Sequence, residues 1–303
     1  MFASMRIYFD DAASIVGGAR ISNDSTDTEI TIQNTLLQQS QVLSTHSRSH
    51  RVVTPYAGLM YTFVRHYSLY ASYADIYLAQ NRLLERTPGN LLGPIRGVNL
   101  KAGVKGDWRG GALNASLALY RIEQSNWPKQ TSFSAPQDLS APECCFTGVS
   151  NRSRGVDVEV NGEVMSGWKV GAGYTYNVYD FPPSHPLATV TPKHLLKAWT
   201  NVRLPGDLSR WEIGGSLHAQ SKIESSVSGP VCPAPTFECL PVVGVQPAYA
   251  VLDLRAAFEV DRHWRVALSL NNVFDKRYYE SIELLKGWYG EPRNWMLRID
   301  GRY

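Results

Sequence analysis

The chain has 303 residues, a formal charge of +3, 19% charged residues and 44% hydrophobic residues. That length suits one or two ordinary domains or one large all-β domain, and a weak positive charge scattered singly along the chain argues against a nucleic-acid partner. No run approaches the roughly 18 apolar residues that a spanning helix requires, so a membrane would have to be crossed with strands.

In chain order the pattern opens with two short strands, near residues 2 to 9 and 13 to 22, joined across Asp10 to Ala12. Residues 23 to 50 read as a long connection rich in Ser, Asn and Gln. Two strands follow, turning at Val64 to His66, and a second long connection covers about 78 to 95. Beyond it lie a turn at Arg109 to Gly111 and an alternation through Leu113, Ala115, Leu117 and Leu119. After a long connection at 126 to 153, residues 154 to 164 set Val156, Val158, Val160 and Val164 against Asp157, Glu159, Asn161 and Glu163.

A turn at Met165 to Gly167 leads to the next strand, then a connection at 181 to 192 and an alternating set Leu196, Ala198, Val202 and Leu204. Past Pro205 to Ser209 another strand gives way to a connection at 224 to 245, followed by Ala248, Ala250, Leu252, Leu254 and Phe258 on one face. A turn at Asp261 and Arg262 precedes Trp264, Val266, Leu268 and Leu270, and a connection at 274 to 290 precedes the last strand. There Trp295, Leu297, Ile299, Gly301 and Tyr303 oppose Asn294, Met296, Arg298, Asp300 and Arg302.

Period-two alternation with one apolar and one polar face is what a wall between hydrocarbon and a wet lumen requires. Short turns on one side and long connections on the other match an outer-membrane barrel whose short turns face the periplasm. The count is about thirteen strands, whereas bacterial single-chain barrels have even numbers, so further strands are expected before Met1. Met1 to Phe9 carries no basic segment followed by an apolar stretch and no cleavage site, so an export signal is also expected upstream. Sixteen tyrosines and eight tryptophans are enough to form the aromatic girdles of a barrel.

All four cysteines fall in long connections, Cys144 and Cys145 as a vicinal pair and Cys232 and Cys239 further on. In an oxidising compartment a bridge between Cys232 and Cys239 around Pro233 and Pro235 is expected. A metal site is the alternative, although neither a His nor a second CxxC lies near. The vicinal pair carries no assigned role, since adjacent cysteines bridge only with strain. Nucleophile-elbow, Walker, zincin and dinucleotide motifs are missing, so no enzymatic activity is expected. His46 and His50 have a spacing that would suit a metal on a helix, but in a Ser-rich connection they read as solvated.

The carboxyl end carries NNVFDKRYY at Asn271 to Tyr279, YGEPRNW at Tyr289 to Trp295 and a terminal aromatic. With TPYAGLMYTF at Thr54 to Phe63, SLYASYADIYLAQ from Ser68, GGALNASLALYRIEQSN from Gly110 and RGVDVEVNGEVMSGWKVGAGYTY from Arg154, the chain resembles the carboxyl-terminal barrel of TonB-dependent siderophore receptors, with a hydroxamate, coprogen or pyoverdine flavour. The resemblance implies an all-β antiparallel transmembrane barrel of 22 strands. About 13 of those strands lie in residues 1–303, with 1–53 a start that includes a long loop, and no plug domain or TonB box is recognisable. It further implies a ferric siderophore as transported ligand, no covalent cofactor, a location in the outer membrane and energy from TonB acting on a plug. Tyr303 resembles the terminal aromatic read by the barrel-assembly machinery.

Asn271 and Asn272 are expected to end a strand, and Asp275 to accept hydrogen bonds from loop backbone. Receptors of this family hold their chelate with aromatic and polar groups on outer loops and upper walls, which nominates Gln124, Asn126 and Trp127, and Tyr278, Tyr279, Trp288 and Tyr289. Each is also a candidate girdle residue. Two other readings stay open: a plugless passive pore or non-functional receptor fragment, and a soluble β-rich binding module whose apolar face is core.

Overall fold

In a computed structural model the structure describes residues 1–34, 39–80, 92–130, 146–180, 191–231, 240–283 and 286–301. The wall opens with β1 (Phe2–Tyr8), β2 (Ala13–Asn34), β3 (Gln39–Val64) and β4 (Tyr67–Leu78). It continues with β5 (Ile95–Trp108), β6 (Leu113–Gln130), β7 (Phe146–Met165), β8 (Trp168–Asp180), β9 (His194–Arg203) and β10 (Trp211–Gln220). The pair β11 (Ile223–Val231) and β12 (Leu240–Gln246) stands apart, β13 (Tyr249–Glu259) and β14 (Trp264–Asn271) rejoin the wall, the pair β15 (Tyr279–Glu283) and β16 (Lys286–Tyr289) stands apart again, and β17 (Asn294–Gly301) ends it. Thirteen strands make one antiparallel sheet in the order β1 to β10, β13, β14, β17.

Register turns the alternating pattern into two continuous surfaces. Leu59, Ala71, Ala102, Leu119, Val156 and Tyr176 are cross-strand partners in sequence from β3 to β8. Leu254, Leu270 and Trp295 continue the same face on β13, β14 and β17. The face is apolar and exposed: Leu119 is 63% accessible and Leu297 54%. Large apolar side chains are not left bare on a sheet unless hydrocarbon covers them, and this belt has the composition of a lipid contact. At the short-turn end it closes with Phe63, Tyr67, Trp108, Trp168, Trp211, Phe258 and Trp264. Tyr67 meets Trp108 edge-on at 5.7 Å and Trp211 packs on Phe258 at 4.7 Å. From Trp168 to Tyr176 on β8 is eight residues, about 20 Å along the normal at a tilt near 40°, close to the height of an apolar barrel band.

The opposite face is polar and interlocked. Lys101 Nζ on β5 reaches Asp157 Oδ2 on β7 at 2.9 Å, and Thr175 on β8 donates to the same carboxylate at 3.0 Å. The bridge passes over Ala118 of the strand between, whose one-carbon side chain leaves room and is itself covered. The device recurs: Arg265 on β14 meets Glu212 on β10 at 2.7 Å above the buried Ala257 of β13. Asn201 on β9 adds a 2.7 Å bond to Glu212. Of the carboxylate row, Asp157 is thus neutralised from β5, while Glu163 accepts the N–H of Gly167 at 2.9 Å and closes the turn after β7.

Four stretches read as connections are in part ladder. β2 and β3 stay paired from Ser22 outward to Asn34 and Gln39, β6 and β7 stay paired through the connection at 126 to 153 as far as Gln130 and Phe146, and the connections at 224 to 245 and 274 to 290 hold the pairs β11–β12 and β15–β16. Sequence pattern marks a strand only where one face meets lipid; a ribbon projecting into water keeps its ladder without that pattern. The change from wall to ribbon falls at a bulge between Ser22 and Asp24, where Asn23 Oδ1 accepts the N–H of Arg51 at 2.7 Å. His46 and His50 lie in β3, so the helical spacing considered for a metal is not realised. Cys144, Cys145, Cys232, Cys239 and Tyr303 lie outside the described residues.

Two outcomes follow from this geometry. Leu117→Arg, in the middle of the outward belt, should lower barrel stability by about 2–4 kcal/mol, whereas inward Ser116→Lys, in register with Glu159, should change it by less than about 1 kcal/mol, both read as the urea midpoint of heat-modifiable mobility in lipid vesicles. At the turn after β13, Asp261 Oδ1 accepts the N–H groups of His263 at 2.7 Å and Trp264 at 2.8 Å, which hold its carboxyl below the usual range. A depressed carboxylate stabilises above its unfolded pKa and loses the contribution as pH falls through the lower folded value. The protection of the Trp264 amide, measured relative to its intrinsic exchange rate, should therefore fall below about pH 4 in the native chain, and Asp261→Asn should remove that step.

Candidate functional site

At the long-connection end, two groups of residues rise from the polar face. The first is built on the bulge of β6 between Gln124 and Trp127. Asn126 adopts φ 58°, a left-handed conformation that asparagine tolerates, and its carbonyl accepts from Gln80 Nε2 at 2.6 Å. Gln80 also donates to the carbonyl of Gly93 at 2.7 Å, and Asn126 Nδ2 donates to that of Pro94 at 3.3 Å. A Cβ on Gly148 of β7 would come within 2.8 Å of Asn126 Oδ1, so glycine is required there. Asn126 therefore pins the rim of β6 to the segment entering β5. Gln124 shares the inward face with Asn151, its cross-strand partner, and Trp127 is half-buried opposite Val149.

The second group surrounds β13 and the β15–β16 hairpin. Tyr278 stacks on Tyr249 of the wall with centroids 4.4 Å apart, and Tyr279 stacks on Tyr289 at 4.4 Å with their hydroxyls 2.8 Å apart. His218 of β10 meets Tyr249 edge-on at 5.7 Å, so rings run from the inner wall to the hairpin. Tyr289 is 70% accessible and Trp288 52%, leaving two large ring faces open. Gln246, buried at the end of β12, accepts the N–H of Tyr279 at 2.7 Å and holds this hairpin to the other.

The motif beginning at Asn271 supports the group from beneath. Asn271 ends β14 and donates to Asn294 Oδ1 at 2.9 Å. Asn272, 2% accessible and at φ 49°, donates Nδ2 to the carbonyls of Lys276 and Glu291 at 2.9 Å each and accepts the N–H of Lys276 at 2.8 Å. Its own N–H goes to Asp253 Oδ1, while Asp253 Oδ2 accepts from Ser216. Asp275 Oδ1 accepts the N–H of Arg293 at 3.0 Å. These residues fix strand ends and hold a rim; the exposed chemistry is carried by the rings above them.

Burial raises the pKa of Tyr278, and the hydrogen bond with Tyr289 raises that of Tyr279. Both phenols stay protonated at neutral pH, so they can donate hydrogen bonds or offer ring faces but are not poised as phenolate ligands for a metal. Between the two groups, the inward face holds buried polar atoms with no partner among the described residues: Asn99 Oδ1, Asn151 Nδ2, His218 Nε2 and Tyr249 Oη. Sequence reasoning missed these four, together with Gln80, Gln246 and Asn272 as rim ties. Their signal was present, since polar residues at inward parity near the long-connection ends of strands are where a lumen ligand would reach.

A family model described as TonB dependent receptor-like, beta-barrel matches residues 1–273. The chain belongs to this family. Among curated relatives it is similar to the ferric-pyoverdine BN7/BN8 receptor of Pseudomonas putida, with 32% identity over 298 residues that cover 97% of this chain and 33% of the relative. It is likewise similar to the ferripyoverdine receptor of Pseudomonas aeruginosa, at 31% identity over 80% of this chain and 29% of that protein. Of solved structures, the pyoverdine outer membrane receptor FpvA from Pseudomonas aeruginosa, bound to pyoverdine, aligns with a TM-score of 0.83 and 26% identity over 100% of this chain and 41% of that one. This member of the family thus spans about a third of the length of the curated relatives it matches. The likeness covers the rim hairpins as well as the wall.

Asn272→Ala should destabilise the barrel by about 2–4 kcal/mol, from three lost side-chain hydrogen bonds and an alanine forced into a left-handed conformation. Asn272→Gly should recover the backbone part of that loss, as read from the same urea midpoints.

Proposed function

We propose that this chain is the carboxyl-terminal portion of the barrel of an outer-membrane receptor for a ferric siderophore of the pyoverdine class. The observation that carries the reading is similarity to ferric-pyoverdine receptors along 97% of the chain, through the rim where the tyrosines and Trp288 gather. Among the described residues β1 and β17 are the two outer strands of the sheet and do not pair with each other, which supports the larger barrel, because in hydrocarbon a backbone group that no strand covers costs several kcal/mol. In the complete receptor, uptake is energised through TonB acting on a plug, and the terminal aromatic Tyr303 engages the barrel-assembly machinery. No covalent cofactor takes part; the ferric chelate is cargo.

The chelate is held by its periphery. Open faces of Trp288 and Tyr289 cover its apolar parts, and the unpartnered groups of Asn151, His218 and Tyr249 on the inward wall supply hydrogen bonds below. Gln124 takes part from the inward face of β6, Asn126 and Trp127 shape the rim beside it, and Tyr278 and Tyr279 set the angle of the hairpin.

Equilibrium binding of a panel of ferric pyoverdines to the intact receptor in detergent tests this. Trp288→Ala with Tyr289→Ala should raise Kd about tenfold or more, the equivalent of about 1.4 kcal/mol, with heat-modifiable mobility unchanged. Retention of full affinity by the double variant would remove these rings from the site, and failure of every ferric pyoverdine to bind would overturn the ligand class.

A further inference from the structure

On β8 the inward face loses its side chains. Gly171 and Gly173 fall at the parity that faces the lumen, between Asn161 and Glu159 of β7 on one side and Trp199 and Lys197 of β9 on the other. The two rows continue to Ser216 and His218 of β10. Together these residues line an open groove of about 650 Å³.

Two features set the groove apart from the rest of the inward wall. Lys101 with Asp157, and Arg265 with Glu212, each join strands two apart above a small residue of the strand between. Glu159 and Lys197 also stand two strands apart, in line across Gly173, where no atom lies within 4 Å of the place a Cβ would take. Yet neither makes a hydrogen bond or ion pair among the described residues. The second feature is Trp199. It shares parity with Asn201, which bonds Glu212 on the polar face, and is nevertheless 46% accessible where no hydrocarbon can cover it. A Cβ on Gly171 would stand 2.2 Å from the indole nitrogen, so glycine is what lets the ring settle beside β8. An ammonium, a carboxylate and an indole are thus held uncommitted around one hollow, with the unpartnered Nε2 of His218 beside Lys197.

Size, chemistry and position identify the occupant. The volume is that of a small-molecule site, and the lining answers a polar ligand that carries charge and one flat apolar part. Lys197 lies six residues from Arg203, at the short-turn end of β9, or about 15 Å along the membrane normal at a tilt near 40°, so the groove sits below the rim. It is continuous with the rim through His218, whose ring meets Tyr249 edge-on at 5.7 Å, while Tyr249 stacks on Tyr278 at 4.4 Å. A ligand that leaves the rim rings inward meets this groove next. Standing contacts of the wall spend their charges on one another; groups kept free in the same wall serve a ligand that comes and goes.

We propose that the groove over Gly171 and Gly173 is a second, deeper station for the ferric chelate, occupied during its passage. Trp199 takes a flat apolar face of the chelate, Lys197 an anionic group, and Glu159 accepts from its hydrogen-bond donors. The proposal rests on the siderophore reading above and adds to it a place below the rim. A segment of the receptor that fills the lumen is the competing occupant, and the experiment separates the two.

Uptake of radioiron-labelled ferric pyoverdine by cells carrying the intact receptor, measured beside equilibrium binding, tests it. Trp199→Ala and Lys197→Gln are each expected to slow uptake by about fivefold or more while Kd stays within about twofold, the split that marks a step after binding. Trp199→Phe and Lys197→Arg should each restore about half of the lost rate or more, since ring and charge are kept. Wild-type uptake in both loss variants would overturn the station, and a loss of affinity equal to the loss of uptake would merge these residues with the rim site. Entry of vancomycin, which an intact lumen excludes, would show a loosened lumen segment and assign the groove to that segment instead. Heat-modifiable mobility is read on every variant; if Trp199→Ala does not fold, Lys197→Gln with its rescue by Lys197→Arg decides. Failure of the wild type to bind any ferric pyoverdine would overturn the ligand class and the station with it, whereas a wild type that binds and imports beside variants that import equally overturns the station alone.

Discussion

Hydrocarbon offers no partner for a peptide N–H or carbonyl, and that single deficiency organises this protein. Every backbone group at membrane depth must be answered by a neighbouring strand, which is why thirteen strands join in one uninterrupted antiparallel ladder and why tight turns alternate with long excursions. Once the ladder is set, side chains have only two directions to point. The row from Leu59 through Ala102 and Leu119 to Tyr176 is the outward consequence, and the bridges Lys101–Asp157 and Arg265–Glu212 are the inward one.

The inward bridges also show how small residues serve a polar wall. Ala118 and Ala257 occupy the middle strand beneath each ion pair, where a longer side chain would hold the partners apart. Neither pair is deeply buried, so their value lies less in raw stability than in setting three strands at one spacing. From there the hydrogen bonds climb: Ser216 to Asp253, Asp253 to Asn272, and Asn272 to the backbone on both sides of the rim hairpin. One carboxylate thus ties the barrel wall to the segment that carries the exposed rings.

At the rim the constraint relaxes, because water satisfies what lipid cannot. Bulges at Ser22/Asp24 and Gln124/Trp127 mark the release, adding local twist and redirecting the chain into free-standing ribbons. Left-handed backbone appears at the same level, at Arg51, Asn126, Asn272 and Asp275, and three of those four are Asn or Asp, whose short polar side chains tolerate it and bond locally. Rigid wall and shaped rim are therefore separate solutions to one hydrogen-bonding requirement under two solvents.

Alternation of apolar and polar residues, tight-turn residues and the aromatic content were enough to read an antiparallel membrane barrel, its strand count in the wall and the side on which the long excursions lie. That legibility is physical: lipid on one face imposes a period of two that survives in a single sequence. The pairs β11–β12 and β15–β16 and the outer ends of the β2–β3 and β6–β7 ladders carry no such imprint, since they extend past the lipid-facing belt that imposes it. Nor could the sequence say that Asn126 and Asn272 are spent on backbone, that Gln246 and Gln80 tie distant segments, or that Gly173 lies between Glu159 and Lys197. Those facts depend on register between strands tens of residues apart. Parity along a strand is written locally, whereas partnership across strands is decided only when the sheet closes its hydrogen bonds.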